Sequence, residues 1–157
     1  MVDTVITREG LARLTYELEQ LRTHGRREIA ERIRAAVTTN ANVVESAEYH
    51  EARDDQATLE RRIAVLEERL ALARLADPDG TNGLVDVGER VGVRDVDSGR
   101  RVQYELVGAL EADVSKGRVS VLSPVGRALV GRRRGEVAVV DAPQGEVRLK
   151  ILSIVTP

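Results

Sequence analysis

Proline and glycine divide this chain. Residues 1–77 hold two glycines and no proline, whereas residues 78–157 hold eleven glycines and all four prolines. Helix interiors exclude both residue types and tight turns require them. The first half is therefore restricted to long helices, and the second to short elements joined by turns. The change falls at DPDGTNG (77–83), a dense run of turn formers that reads as a linker. The expected domains are a helical 1–76 and a compact 84–157.

In the first half Thr7 is the expected N-cap of a helix carrying Leu11, Leu14, Leu18 and Leu21 at spacings of three and four. The repeat slips near Gly25 and resumes at Ile29, Ile33 and Ala36, one residue out of phase. Such a slip predicts a stutter that locally unwinds a supercoil. A second helix carries Tyr49, Ala52, Gln56, Leu59, Ile63, Leu66, Leu70 and Ala73 in unbroken alternation, with charged residues on its other faces. Two helices of about 30 residues, each roughly 45 Å long, predict an antiparallel hairpin with one seam. The apolar side chains shrink to Ala36, Ala47 and Ala52 towards its tip, near 39–46, so that end serves presentation more than stability. The competing reading is a seam for dimerisation, as in a coiled-coil adaptor.

The second half alternates. Residues 90–96 and 101–107 predict strands around an Asp97-Ser98-Gly99 turn, and 118–122 a third. Ser123 followed by Pro124 predicts the start of a short helix ending near Gly131. Residues 136–140 and 146–155 flank a turn at Pro143-Gln144-Gly145. The fold class is thus α+β: an antiparallel two-helix coiled coil, then a small antiparallel sheet covered by one short helix.

Composition excludes several functions. There is no cysteine, hence no disulfide or thiolate chemistry. With three tyrosines as the only aromatics, no aromatic-lined pocket or base-stacking platform can be assembled. A net charge of −2 argues against bulk electrostatic binding of nucleic acid. No secretory segment opens the chain and no apolar run approaches the roughly 18 residues of a membrane span, so the expected compartment is the cytoplasm.

Two stretches are more specific. SAEYHEARDDQ (46–56), preceded by Glu45, and SPVGRALVG (123–131) resemble motifs of the bacterial Gre transcript cleavage factors, in order and in both halves. The tail PQGEV (143–147) fits the same pattern. Glu45, Ala47, Glu48, Tyr49, His50, Ala52, Arg53 and Gln56 match the first motif; Ser46 replaces Asn there, and Asp54 and Asp55 replace Glu and Gln. The resemblance implies a C-terminal domain similar to FK506-binding proteins. It implies a partner, bacterial RNA polymerase, bound by that domain at the rim of its secondary channel, with the coiled coil inserted towards the active centre and the RNA 3′ end. A monomer is expected, and no cofactor beyond the polymerase-bound Mg²⁺.

The family's activity needs two acids three residues apart at the tip, which help the polymerase retain Mg²⁺, a hard cation that prefers charged oxygen ligands. Here the corresponding segment is Asn42-Val43-Val44-Glu45. Glu45 remains as a possible shared ligand; Asn42 replaces the first acid. An amide brings no charge and cannot act as a base. The expected function is a cleavage-deficient modulator or inhibitor that occupies the channel, not an enzyme in itself. The alternative is an active cleavage and elongation factor working through Glu45. A remote alternative, prolyl isomerisation, lacks the aromatic pocket that such chemistry uses.

Four further expectations follow. Val43-Val44 offers either an exposed contact or a hydrophobic staple over the helix ends. Leu122, Ser123, Pro124 and Arg127 form the expected polymerase contact, with Leu122 apolar where many relatives carry Asp or Asn. Residues 1–76 carry 14 acids against 12 bases, so the arm's arginines, among them Arg26, Arg27, Arg32, Arg34 and Arg53, read as a solvated face. Arg132, Arg133 and Arg134 either cap the short helix or meet an acidic partner.

Overall fold

The computed structural model describes residues 4–39, 41–78 and 82–157. Residues 79–81 of the expected linker, and Asn40 of the expected tip, lie outside them. The chain divides into two compact units: Ala12–Leu72, and Met1–Leu11 with Ala73–Pro157. The helical unit thus begins and ends inside the expected span 1–76. The reason is a pairing that periodicity did not reveal. Strand β1 (Thr4–Ile6) pairs in parallel with β2 (Ala73–Leu75) as a separate two-stranded sheet, and both belong to the second unit. Ala73, expected as the last position of the helical stripe, is the first residue of β2.

Helix α1 (Arg8–Gln20) begins at the expected cap, with Gly10 N donating to Thr7 Oγ1 at 3.0 Å. It runs through a π-helical turn, Leu21–Gly25, into α2 (Arg26–Thr39). Helix α3 (Ala47–Ala71) returns antiparallel to them. The phase slip near Gly25 therefore has a different local form from a stutter. A π-turn takes up one extra residue without breaking the helix, which restores Ile29, Ile33 and Ala36 to the seam. A Cβ on Gly25 would stand 3.2 Å from Leu59 Cδ1, so glycine lets α3 approach there. Leu14, Leu18, Ala36, Ala52 and Ile63 are buried along the seam. Four ion pairs flank it: Arg22–Glu67, Arg26–Glu60, Arg32–Asp55 and Arg62–Glu17. Their side chains are all more than a third exposed, so each adds little stability. Arg26 holds the Glu60 carboxyl below its ordinary pKa.

The second unit is built on a five-stranded sheet in the order β5-β4-β3-β7-β6. Its strands are β3 (Arg90–Asp95), β4 (Arg101–Val107), β5 (Arg118–Ser120), β6 (Val137–Ala142) and β7 (Gly145–Val155). Three of its four pairings are antiparallel, as expected; β4 and β5 run parallel, so the sheet is mixed. The cause is the connection from 108 to 117, which carries two 3-10 turns (Ala109–Glu111 and Val114–Lys116) and crosses over instead of turning back. Val85, Val91, Val93, Leu106, Leu129, Ala138, Val140 and Ile151 are among the ten buried residues of the core. Helix α4 (Pro124–Leu129) contributes Leu129 to it and packs against β5 and β6.

Among the described residues, two carboxylates are buried in this unit, Glu89 and Glu111. Glu111 accepts from the Thr7 hydroxyl, from Thr7 N at 2.9 Å and from Gly108 N at 3.2 Å. It thereby ties the start of α1 to the 3-10 turn after β4. The packing is close: a Cβ on Gly108 would lie 1.7 Å from Val5 O, and one on Gly10 would collide with the Glu111 carboxylate. Glu89 accepts from Asp86 N and from the Thr156 hydroxyl, both at 2.9 Å, and so fastens the C-terminal residues. Both acids are partnered as burial demands.

Candidate functional site

The tip is made by a change of helix type. At the end of α2 the hydroxyls of Thr38 and Thr39 bond back to the Arg34 and Ala35 carbonyls, at 2.7 Å each. Asn42 is extended, and Val43–Glu45 form one 3-10 turn. Glu45 N donates to Asn42 O at 3.3 Å, and Ser46 N to Val43 O at 3.2 Å. Ser46, buried, is the N-cap of α3: its Oγ accepts from Tyr49 N at 3.2 Å. The signal for this cap was present in Ser46 followed by Ala-Glu-Tyr, and sequence reasoning missed it. It missed His50 as well, whose Nε2 donates to Val44 O at 2.7 Å.

Asn42, Val44 and Glu45 are exposed and Val43 is half-buried. The two valines therefore part company: Val43 turns partly inward, while Val44, 77% exposed, lies on the surface. The Asn42 side chain makes no capping bond to the turn. Among its described residues, the tip thus presents the Glu45 carboxylate, the Asn42 amide and the Val44 isopropyl group. Of the acids further along α3, Asp55 is held by Arg32 at 2.8 Å. Glu48 and Glu51 line a shallow groove of about 260 Å³ with Arg32, Ala35, Ala36 and Thr39. Arg26 and Arg32 are engaged in the flanking pairs, and Arg53 donates to Gln56 at 2.8 Å.

The second candidate region surrounds α4. Ser123 Oγ accepts from Gly126 N at 3.1 Å and donates to Ser120 O at 2.6 Å, so its hydroxyl is used within the fold. A Cβ on Gly126 would stand 2.0 Å from Ser120 O, which explains the glycine after Pro124-Val125. Leu122, Pro124 and Arg127 are exposed. Pro124 and Arg127 line an open depression with Ala128, Val139 and Asp141. Val137 and Val139, on the outer face of edge strand β6, are exposed as well. In the basic run, Arg132 Nε donates to Ala128 O at 3.4 Å, capping α4, and Arg133 N donates to Glu136 Oε2 at 2.9 Å. These two regions lie in different units.

Comparison with known proteins agrees with this architecture in both halves. The family model "Transcription elongation factor, N-terminal" matches residues 4–75, and "Transcription elongation factor, GreA/GreB, C-term" matches residues 80–156. Transcription elongation factor GreA of Acetivibrio thermocellus is 42% identical over 153 residues, covering 97% of this chain and 96% of that protein. The GreA of Chloroflexus aurantiacus is 44% identical over 152 residues, covering 96% of each. Among solved structures, GreA factor homolog 1 (Gfh1) of Thermus thermophilus is similar, at 27% identity and a TM-score of 0.44 over 98% of this chain and 99% of that one. No described helix is long and apolar enough to cross a membrane. With family models covering both halves and relatives matched nearly end to end, the chain belongs to the GreA/GreB family of transcription elongation factors.

Proposed function

We propose that this chain is a regulator of bacterial RNA polymerase. Its sheet unit docks on the enzyme through the surface around Leu122, Pro124 and Arg127. Its helical hairpin enters the secondary channel, where the tip approaches the RNA 3′ end. There it slows nucleotide addition and stimulates RNA cleavage little or not at all. The observation that carries this reading is the tip's donor set: Glu45 is its one carboxylate, while Asn42 is an exposed amide and Val44 an exposed apolar group.

The residues present do not make a metal site. Among those described, no group of three or more His, Cys, Asp or Glu is placed to hold an ion. One carboxylate and one amide are a poor match for Mg²⁺, which prefers several charged oxygens. No metal-dependent step is therefore assigned to this chain.

The test is RNA cleavage in a stalled, backtracked elongation complex, with nucleotide addition measured in parallel. The expected result is slowed addition and negligible cleavage, with Asn42→Asp raising cleavage by about 10²-fold, the scale of one preorganised charged group. Ready cleavage by the natural chain would overturn the reading. It would instead support a cleavage-promoting factor acting through Glu45. That alternative is favoured by the 42–44% identity to elongation factors named GreA.

A further inference from the structure

The start of α3 carries a polar contact where helices often carry an apolar one. With Ser46 as N-cap, Glu45 is the residue before the cap and His50 the fourth residue of the helix. Those two positions commonly pack as a hydrophobic staple that fixes the angle of chain entry. Neither residue here is aliphatic. Instead the His50 ring reaches back over the cap, with Nε2 2.7 Å from the Val44 carbonyl oxygen. A carbonyl only accepts, so Nε2 carries the proton in this contact; the neutral Nε2–H tautomer and the imidazolium both satisfy it. The ring also meets Tyr49 edge-on, with centroids 5.6 Å apart and planes at 71°.

Among the described residues, little else fixes the 3-10 turn beyond the half-buried Val43. Its two backbone bonds, at 3.3 and 3.2 Å, are long. Asn42 adds no side-chain cap, and Val44 is too exposed to hold the turn by packing. Among the described residues, the shortest hydrogen bond on the turn comes from the imidazole, at 2.7 Å.

We propose that His50 is a positioning residue for the tip. By holding the Val44 carbonyl it sets the peptide plane between Val44 and Glu45, and so the direction in which the Glu45 carboxylate and the Val44 side chain are presented. This deepens the channel-entry reading and rests on it for its consequence in transcription.

Three variants of the full chain separate donor from ring. His50→Gln keeps an N–H donor at similar reach, His50→Phe keeps the ring against Tyr49 without the donor, and His50→Ala removes both. Amide exchange at Glu45 and Ser46, followed by NMR, reads the turn directly. Exchange there is expected to quicken about three- to tenfold in the Phe and Ala variants, the range of one neutral hydrogen bond. It should stay near natural in the Gln variant, with amides between Leu59 and Leu70 unchanged in all. Slowing of nucleotide addition should weaken with Phe and Ala and recover with Gln. Unchanged exchange in the Phe variant, or no recovery with Gln, would overturn the proposal. Faster exchange with undiminished slowing would leave the positioning role standing and count against the tip as the working part.

Discussion

The two units reach stability by different means. The sheet unit surrounds its centre: Val91, Leu106, Leu129 and Ile151 are within a percent of complete burial, and strands, turns and α4 close around them. The hairpin has no centre. It buries one row of side chains, and near the tip that row is reduced to Ala36 and Ala52. Fully burying an Ile or Leu side chain contributes about 1.5–3 kcal/mol, and an alanine methyl far less. Cohesion in the hairpin therefore falls towards the end that carries the candidate site, where hydrogen bonds from Ser46 and His50 take over from packing. A surface that must be presented cannot also be buried, and local polar bonds hold shape where apolar contact is lacking.

The largest way to sharpen this contrast is to hollow the sheet unit. Ile151→Ala should cost about 2–5 kcal/mol, as large-to-small core changes do. Chemical denaturation followed by NMR signals of each unit should show the sheet melting early, with the hairpin's internal amides less affected. Gly108→Ala should cost about 1–3 kcal/mol through overpacking against Val5 O, and should release the segment before α1 to limited proteolysis. Ser46→Ala removes the N-cap of α3 and should cost about 1 kcal/mol, read as faster exchange at Ala47–Tyr49 with sheet amides unchanged.

The smallest effect separates the units by their charges. Raising salt to about 1 M shortens the Debye length to about 3 Å and screens the four exposed interhelical pairs, so the hairpin's melting temperature should fall slightly. The sheet unit carries exposed pairs as well, Arg148–Asp97 and Lys116–Asp113 among them, but it rests chiefly on a buried apolar core that salt does not screen, so it should respond less. Asp95 there is held below its ordinary pKa chiefly by backbone N–H groups of Ser98 and Asp97. Acid does not discriminate. Glu60 and Asp95 are both lowered on folding, so each contributes above the ordinary carboxylate range and loses its contribution as pH falls through its lowered value. A salt response equal in both units would break the comparison.

Much of this was legible in the residues. Strands β3 and β4 follow the alternation almost to the residue, because their hairpin places Val91, Val93 and Leu106 on one face. Ser123-Pro124 marked α4 because a cap and a leading proline are local chemistry. The slip at Gly25 was visible, though a phase shift alone does not distinguish a stutter from a π-turn. Strands β1 and β2 were not visible: three residues are too few for a period, and each is made a strand by the other. The parallel β4–β5 pairing depends on the path of a loop. The burial of Glu89 and Glu111 was not visible either, because nothing local announces partners at Thr156 and Thr7. At the tip, Asn42 and Glu45 were legible by their place in a motif, whereas His50 required the turn of the chain over the cap.

The bond between Thr7 and Glu111 joins residues 104 positions apart. During synthesis, the hairpin's own contacts become available once residue 72 has emerged, and closing them spans short loops. The bonds that hold Thr7 must wait for Glu111, and β1 for β2, so those contacts carry a larger entropic cost of closure than the local cap from Thr7 to Gly10. A nascent chain stalled before position 111 therefore lacks the partner that secures Thr7.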